Sequence, residues 1–81
     1  MAREPKTAEI VAEMVANVMK VVVAPGDRID AGDTVVLLES MKMEIPVLTE
    51  AAGTVSAIKV SEGDVVQEGD ILVTLDLAGA S

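Results

Sequence analysis

The sequence predicts an all-β fold made of two similar halves, and three observations carry that prediction. The first is an internal repeat. A shift of 37 residues lays residues 10–39 on 47–76 without a gap, and nine of the thirty pairs are identical; chance at this composition gives roughly three. The second is punctuation. Each half carries two Gly-Asp steps, Gly26-Asp27 and Gly32-Asp33 in the first, Gly63-Asp64 and Gly69-Asp70 in the second. Glycine enters positive φ without steric cost and aspartate hydrogen-bonds nearby backbone, so these are turns. The third is that short runs of Val, Ile, Leu and Thr lie between the turns, a composition that favours strands.

Taken in order, residues 1–8 mix Arg3, Glu4, Pro5 and Lys6 without periodicity and read as a flexible tail. The domain spans 9–77, with its repeats at 10–39 and 47–76, and 78–81 form a second tail. Within 8–19, Ile10, Val11, Met14, Val15 and Val18 have helical spacing. The repeat mate of that stretch, 47–55, holds Gly53 and β-branched residues, so extended structure is predicted for both. Strands are predicted over 18–23, 34–38, 54–60 and 71–75. Residues 40–46 join the halves in a hairpin centred on Lys42, and moving Lys42 by 37 residues lands on Pro5 or Gly79. Under a quasi-two-fold axis the tip of that hairpin points away from the place where the termini meet.

Composition closes many functions. The chain has 81 residues, 51% of them apolar, enough for one small core but not for a deep enzyme cleft. Absence of Cys and His removes disulfides, thiolate chemistry, the commonest metal ligands and the commonest general base. Without Phe, Trp or Tyr there is no stacking platform for bases, and a net charge of -8, from 6 basic and 14 acidic residues, repels phosphate backbones and anionic lipid. Neither nucleic acid nor a membrane is an expected partner. No apolar run exceeds four residues, so no signal-peptide core or membrane span is read, and the expected location is the cytoplasm. Asp27, Asp30 and Asp33 lack the spacing of a calcium loop and read as turn acids; no metal site is expected. Ser40 and Lys42 are two residues apart, but no oxyanion donors accompany them, so no catalytic residue is predicted.

The joining segment reads Leu38-Glu39-Ser40-Met41-Lys42-Met43-Glu44-Ile45-Pro46. A lysine at a hairpin tip is in most proteins a solvated charge. Lys42 differs in three respects: it sits at the midpoint of the repeat, it has a methionine on each side, and it is one of only six basic residues. Met41 and Met43 read equally well as a soft apolar surface for another protein and as core gap-fillers.

Residues 39–44, Glu-Ser-Met-Lys-Met-Glu, resemble the attachment motif of the biotinyl/lipoyl carrier domain family, and the resemblance extends over residues 10–76, including Ala51-Ala52-Gly53-Thr54-Val55 and the paired turns. It implies a flattened barrel, or sandwich, of two four-stranded antiparallel sheets related by a pseudo-two-fold axis. Short, free-standing biotin carboxyl carriers are the most similar type. The gapless register leaves no room for an inserted thumb, and residues 12–16, Ala-Glu-Met-Val-Ala, keep only Ala12 and Met14 of the family's Ala-Pro-Met-x-Gly.

The resemblance further implies that a biotin protein ligase joins biotin to the ε-amine of Lys42, with Met41 and Met43 as flanking recognition residues. Glu39 and Glu44 are candidates for ligase recognition, with solvated carboxylates as the equal alternative. The implied role is to ferry CO2 from a biotin carboxylase to a carboxyltransferase, the domain catalysing nothing itself. Two alternatives stay open. A lipoyl carrier shares the fold but usually has Asp before the lysine and Ala after it, where this chain has methionines; an interaction module would keep the fold and carry no cofactor.

Overall fold

The computed structural model of the chain describes residues 7–77. They form eight strands: β1 (Thr7–Val11), β2 (Ala16–Val21), β3 (Arg28–Ile29), β4 (Thr34–Ser40), β5 (Met43–Leu48), β6 (Gly53–Ile58), β7 (Val65–Val66) and β8 (Ile71–Leu77). Two four-stranded antiparallel sheets result, ordered β1-β8-β6-β3 and β5-β4-β2-β7. Adding 37 to the bounds of β2, β3 and β4 reproduces those of β6, β7 and β8. The same shift exchanges the two sheets, which is the two-fold relation the repeat predicts.

The helical spacing in 8–19 is overridden. Residues 12–15 break it into β1 and β2, and Ile10 and Val18 face inward from different sheets. Thr7 and Ala8, read from the sequence as tail, open β1 by pairing with Asp76 and Leu75. β2 and β6 start earlier and stop two residues sooner than the Val-rich runs suggest. The remainder of both tails, Pro5 and Gly79 included, lies outside the described residues.

The core is made by alternation. Val18, Leu38, Val55 and Leu75 are buried while their neighbours Asn17, Glu39, Thr54 and Asp76 face outward. Val35 and Val36 are both fully buried because a register shift at the start of β4 turns two successive side chains inward. Each such side chain contributes roughly 1.5–3 kcal/mol on removal from water. Among the described residues no buried side-chain polar atom lacks a partner.

The Gly-Asp steps are tight turns of one design. In each, glycine sits at φ 92–94°, and the Asp carboxylate accepts the backbone N–H three residues back: Ala24 for Asp27, Asp30 for Asp33, Ser61 for Asp64, Gln67 for Asp70. These carboxylates close turns. The turns also strap the sheets together, since Gly26 N–H donates to the Val55 carbonyl and Val55 N–H to the Asp27 carbonyl, with Gly63, Val18 and Asp64 repeating the pattern. No helix among the described residues is long and apolar enough to cross a membrane.

Register fixes where the ends lie. Asn17 opposite Glu39 brings the start of β2 to the β4–β5 tip, and Ala12 N–H bonded to the Asp70 carbonyl brings the start of β8 there too. β8 therefore runs away from the tip, and Leu77 meets Gly53 at the other end of a body with extents of 48 × 21 × 17 Å.

Candidate functional site

The hairpin between β4 and β5 closes in two residues. Ser40 pairs with Met43, leaving Met41 and Lys42 as the turn, and both have positive φ, 54° and 66°. Positive φ at both central residues is the hairpin turn whose twist matches paired strands, and it is normally built from Asn-Gly or Gly-Gly. Here a methionine and a lysine adopt it, at a cost of about 1–3 kcal/mol each. They are the only non-glycine residues with positive φ among those described. The strain is thus confined to the residue that the sequence singles out and its neighbour.

Lys42 is exposed, Met41 is 90% exposed and Met43 64%. Neither methionine fills the core, so of the two readings of the pair only the presented apolar surface survives. Glu39 and Glu44 stand directly opposite each other across the hairpin on the outer face of their sheet. Like charges in that relation destabilise a sheet by tenths of a kcal/mol or more, so the pair weakens the hairpin it decorates. Lys20 and Lys59 lie elsewhere, in β2 and just past β6.

Ala16, whose contrast with its repeat mate Gly53 sequence reasoning passed over, shapes the base of the hairpin, while Gly53 lies at the opposite end of the body. Gly53 pairs with Leu77, and a Cβ at Gly53 would lie 2.5 Å from the Asp76 carbonyl oxygen. The equivalents of these three are Ala16, Ser40 and Glu39. Ala16 carries the Cβ, and the Ala16–Ser40 pair is missing: the β2–β4 ladder begins only at Asn17–Glu39. The tip is held on one side less than its counterpart. The comparison of Ala16 with Gly53 was available in the repeat; its consequence needed the register.

A groove of about 440 Å³ runs between the edge strands β1 and β5, lined by Ala8, Ile10, Leu38, Ile45, Val47 and Leu75. These are three repeat-related pairs, so the groove is the symmetric seam of the sandwich, and Lys42 is not in its lining.

The described residues thus form an eight-strand body that displays one lysine on a strained turn, the arrangement of an attachment domain. Residues 2–75 match the family described as "Biotin-requiring enzyme". The chain is 57% identical over 67 residues to a protein of Mycobacterium leprae named "Biotinylated protein TB7.3 homolog", covering 83% of this chain and 94% of that one. It is 49% identical over 63 residues to the "Biotin/lipoyl attachment protein" of Bacillus subtilis, covering 78% of this chain and 86% of that one. Among solved structures, the urea carboxylase of Kluyveromyces lactis superposes with a TM-score of 0.83 at 31% identity, over 93% of this chain and 7% of that one. The chain belongs to the biotin/lipoyl attachment family, and the cofactor named by the family description and by the Mycobacterium leprae relative is biotin.

Proposed function

We propose that Lys42 is covalently biotinylated and that the domain is a biotin carboxyl carrier working in trans, in the cytoplasm, between a biotin carboxylase and a carboxyltransferase. The observation that carries this reading is the turn: in a family of attachment domains, the strained and fully presented lysine is Lys42. The residues fit the group, because an amine attached at that tip has open space around it and two exposed methionines for a ligase to grip.

A lysine amine is nucleophilic only when neutral, so the ligase supplies the base. The Lys42 nitrogen attacks the acyl carbon of biotinyl adenylate, an amide forms, AMP leaves with the electrons of the broken C–O bond, and the amine proton passes to the ligase base. Arginine cannot replace it, since the guanidinium remains charged and delocalised. Once attached, biotin supplies a ring nitrogen that takes up CO2 and gives it to an acceptor. The chain's own part is to hold the arm on a rigid end, to keep local cofactor concentration on the order of millimolar, and to release its partners after each transfer. Sequence favours biotin over lipoate at this tip, because Met41 stands where a lipoyl carrier has an acid.

Lys42→Arg tests the assignment: streptavidin recognition is lost while the circular dichroism spectrum is kept. Labelling that persists in the variant refutes it. Intact mass of protein from its native cell separates the biotinyl, lipoyl and unmodified forms.

A further inference from the structure

The repeat provides a comparison within one molecule: each outward position on one sheet has an equivalent on the other. On the outer face of the sheet that carries Lys42 stand Val65, Met19, Leu37 and Pro46, on β7, β2, β4 and β5 in turn. Their equivalents on the other sheet are Arg28, Ser56, Thr74 and Glu9. Each of these four apolar residues answers to a polar residue of the other face, whereas Leu48, 50% exposed at the end of β5, answers to the equally apolar Val11. Val65 is 65% exposed and Met19 41% exposed, Pro46 is exposed and Leu37 half-buried. Just past β2, Val22, 46% exposed, continues the strip where the other face has Lys59. The backbone does not require apolar groups there, because the same strands on the other side are satisfied with Ser56 and Thr74 bonded to each other at 2.8 Å.

We propose that this outer face is the docking surface for the carboxylase protein on which the Lys42 arm acts, a partner presenting an apolar strip rimmed by Lys or Arg. The inference rests on the biotinyl reading of Lys42 and adds the partner's contact surface. Pairing places Val65, Asn17, Glu39 and Glu44 in one row across the face and Lys20, Leu37 and Pro46 in the next, so Val65 is level with the acidic pair, the rest of the strip lies one row further from the tip, and Lys20 is the one cation among it. Glu39 and Glu44 select a basic rim. A second copy of this chain is disfavoured as the occupant, since two bodies that each carry -8 repel one another.

The ligase has a different need. It must bring the Lys42 nitrogen itself to the adenylate and so must grip the tip. After attachment, the reacting ring lies beyond the amine by the length of the valeryl chain, so a carboxylase can leave the hairpin outside its cleft and needs a handle elsewhere on the domain.

The test transplants the polar face. Met19→Ser, Leu37→Thr and Val65→Arg place on one sheet the residues that the other already accommodates, with single Val65→Arg and Met19→Ser variants in case the triple variant unfolds. Biotinylated proteins are assayed for CO2 uptake from ATP and bicarbonate with a panel of biotin carboxylases. KM for the carrier should rise at least about tenfold with kcat within twofold, while the rate of biotinylation by the ligase stays within twofold. Ser56→Ala with Thr74→Val, on the other face, should change neither. An unchanged KM overturns the inference, as does a parallel fall in the ligase rate, or a wild-type dimer in sedimentation that the variants convert to monomer. Failure of the wild-type biotinylated domain to take up CO2 from any carboxylase overturns the carrier function itself, and the docking surface with it.

Discussion

At Met41 and Lys42 the backbone holds two side chains where glycine and asparagine normally stand. The conformation turns the amine outward, and it is maintained by the Ser40–Met43 pair below it rather than by any preference of the turn residues. Converting the turn to its unstrained form, Met41→Asn with Lys42→Gly, should stabilise the fold by about 2 kcal/mol or more in urea titration while removing the acceptor amine. A loss of stability would mean that the methionine contributes packing that its exposure does not reveal. Nothing in the sequence shows this strain, because residues with high positive-φ frequency are absent from the tip. The placement of Lys42 at the tip, by contrast, was legible from the repeat midpoint alone.

Among the elements, two glycines separate strain from collision. Gly26 has φ of 94° with nothing within 4 Å of the place a methyl group would take, whereas at Gly53 a carbonyl oxygen stands 2.5 Å from that place. Gly26→Ala should therefore cost about 1 kcal/mol, from backbone conformation alone. Gly53→Ala should cost more, about 2 kcal/mol or above, by parting β6 from β8; thermal denaturation of the two variants gives the order, and equal losses would refute it. Ala16→Gly works in the other direction, permitting the missing Ala16–Ser40 pair and slowing amide exchange at the hairpin base.

The strands themselves were unevenly legible. β4 and β8 lie within a few residues of their Val- and Leu-rich runs. β3 and β7, two residues each, are too short to leave a pattern, and β1 was masked by apolar spacing that suits a helix. Contact with β8 overrides that spacing. The apolar outer face could not be read at all, since it depends on the pairing of β7, β2, β4 and β5 and on the register shift in β2 that sets Lys20 rather than Met19 opposite Leu37.

For the molecule as a whole, the acidic surface and the polarity of its two ends govern behaviour in trans. CO2 uptake by the biotinylated domain should slow as salt rises, because long-range attraction to basic rims is screened over about 8–10 Å at physiological ionic strength. A salt-independent rate would leave contact chemistry alone to guide docking. A bulky domain fused beyond residue 7 or 77 should leave uptake within about twofold, since Thr7 and Leu77 stand at the end away from Lys42. A severe loss would contradict that geometry.

The exchange of sheets under a 37-residue shift also says what the attachment hairpin is. Thr7 beside Asp76 is the same pairing as Glu44 beside Glu39, so the region around Thr7 and Leu77 is a second hairpin left open where the first is closed. Two copies of a four-strand unit joined end to end have one seam, and that seam became the arm-bearing turn. Closing the other, by linking Leu77 through Met-Lys to a methionine placed before Thr7, would make a circular chain with two equivalent tips. A ligase that reads the turn and its strands would then load two arms at opposite ends of one body, whereas a ligase that also reads Glu39 and Glu44 would distinguish them, because Asp76 and Thr7 stand in their places.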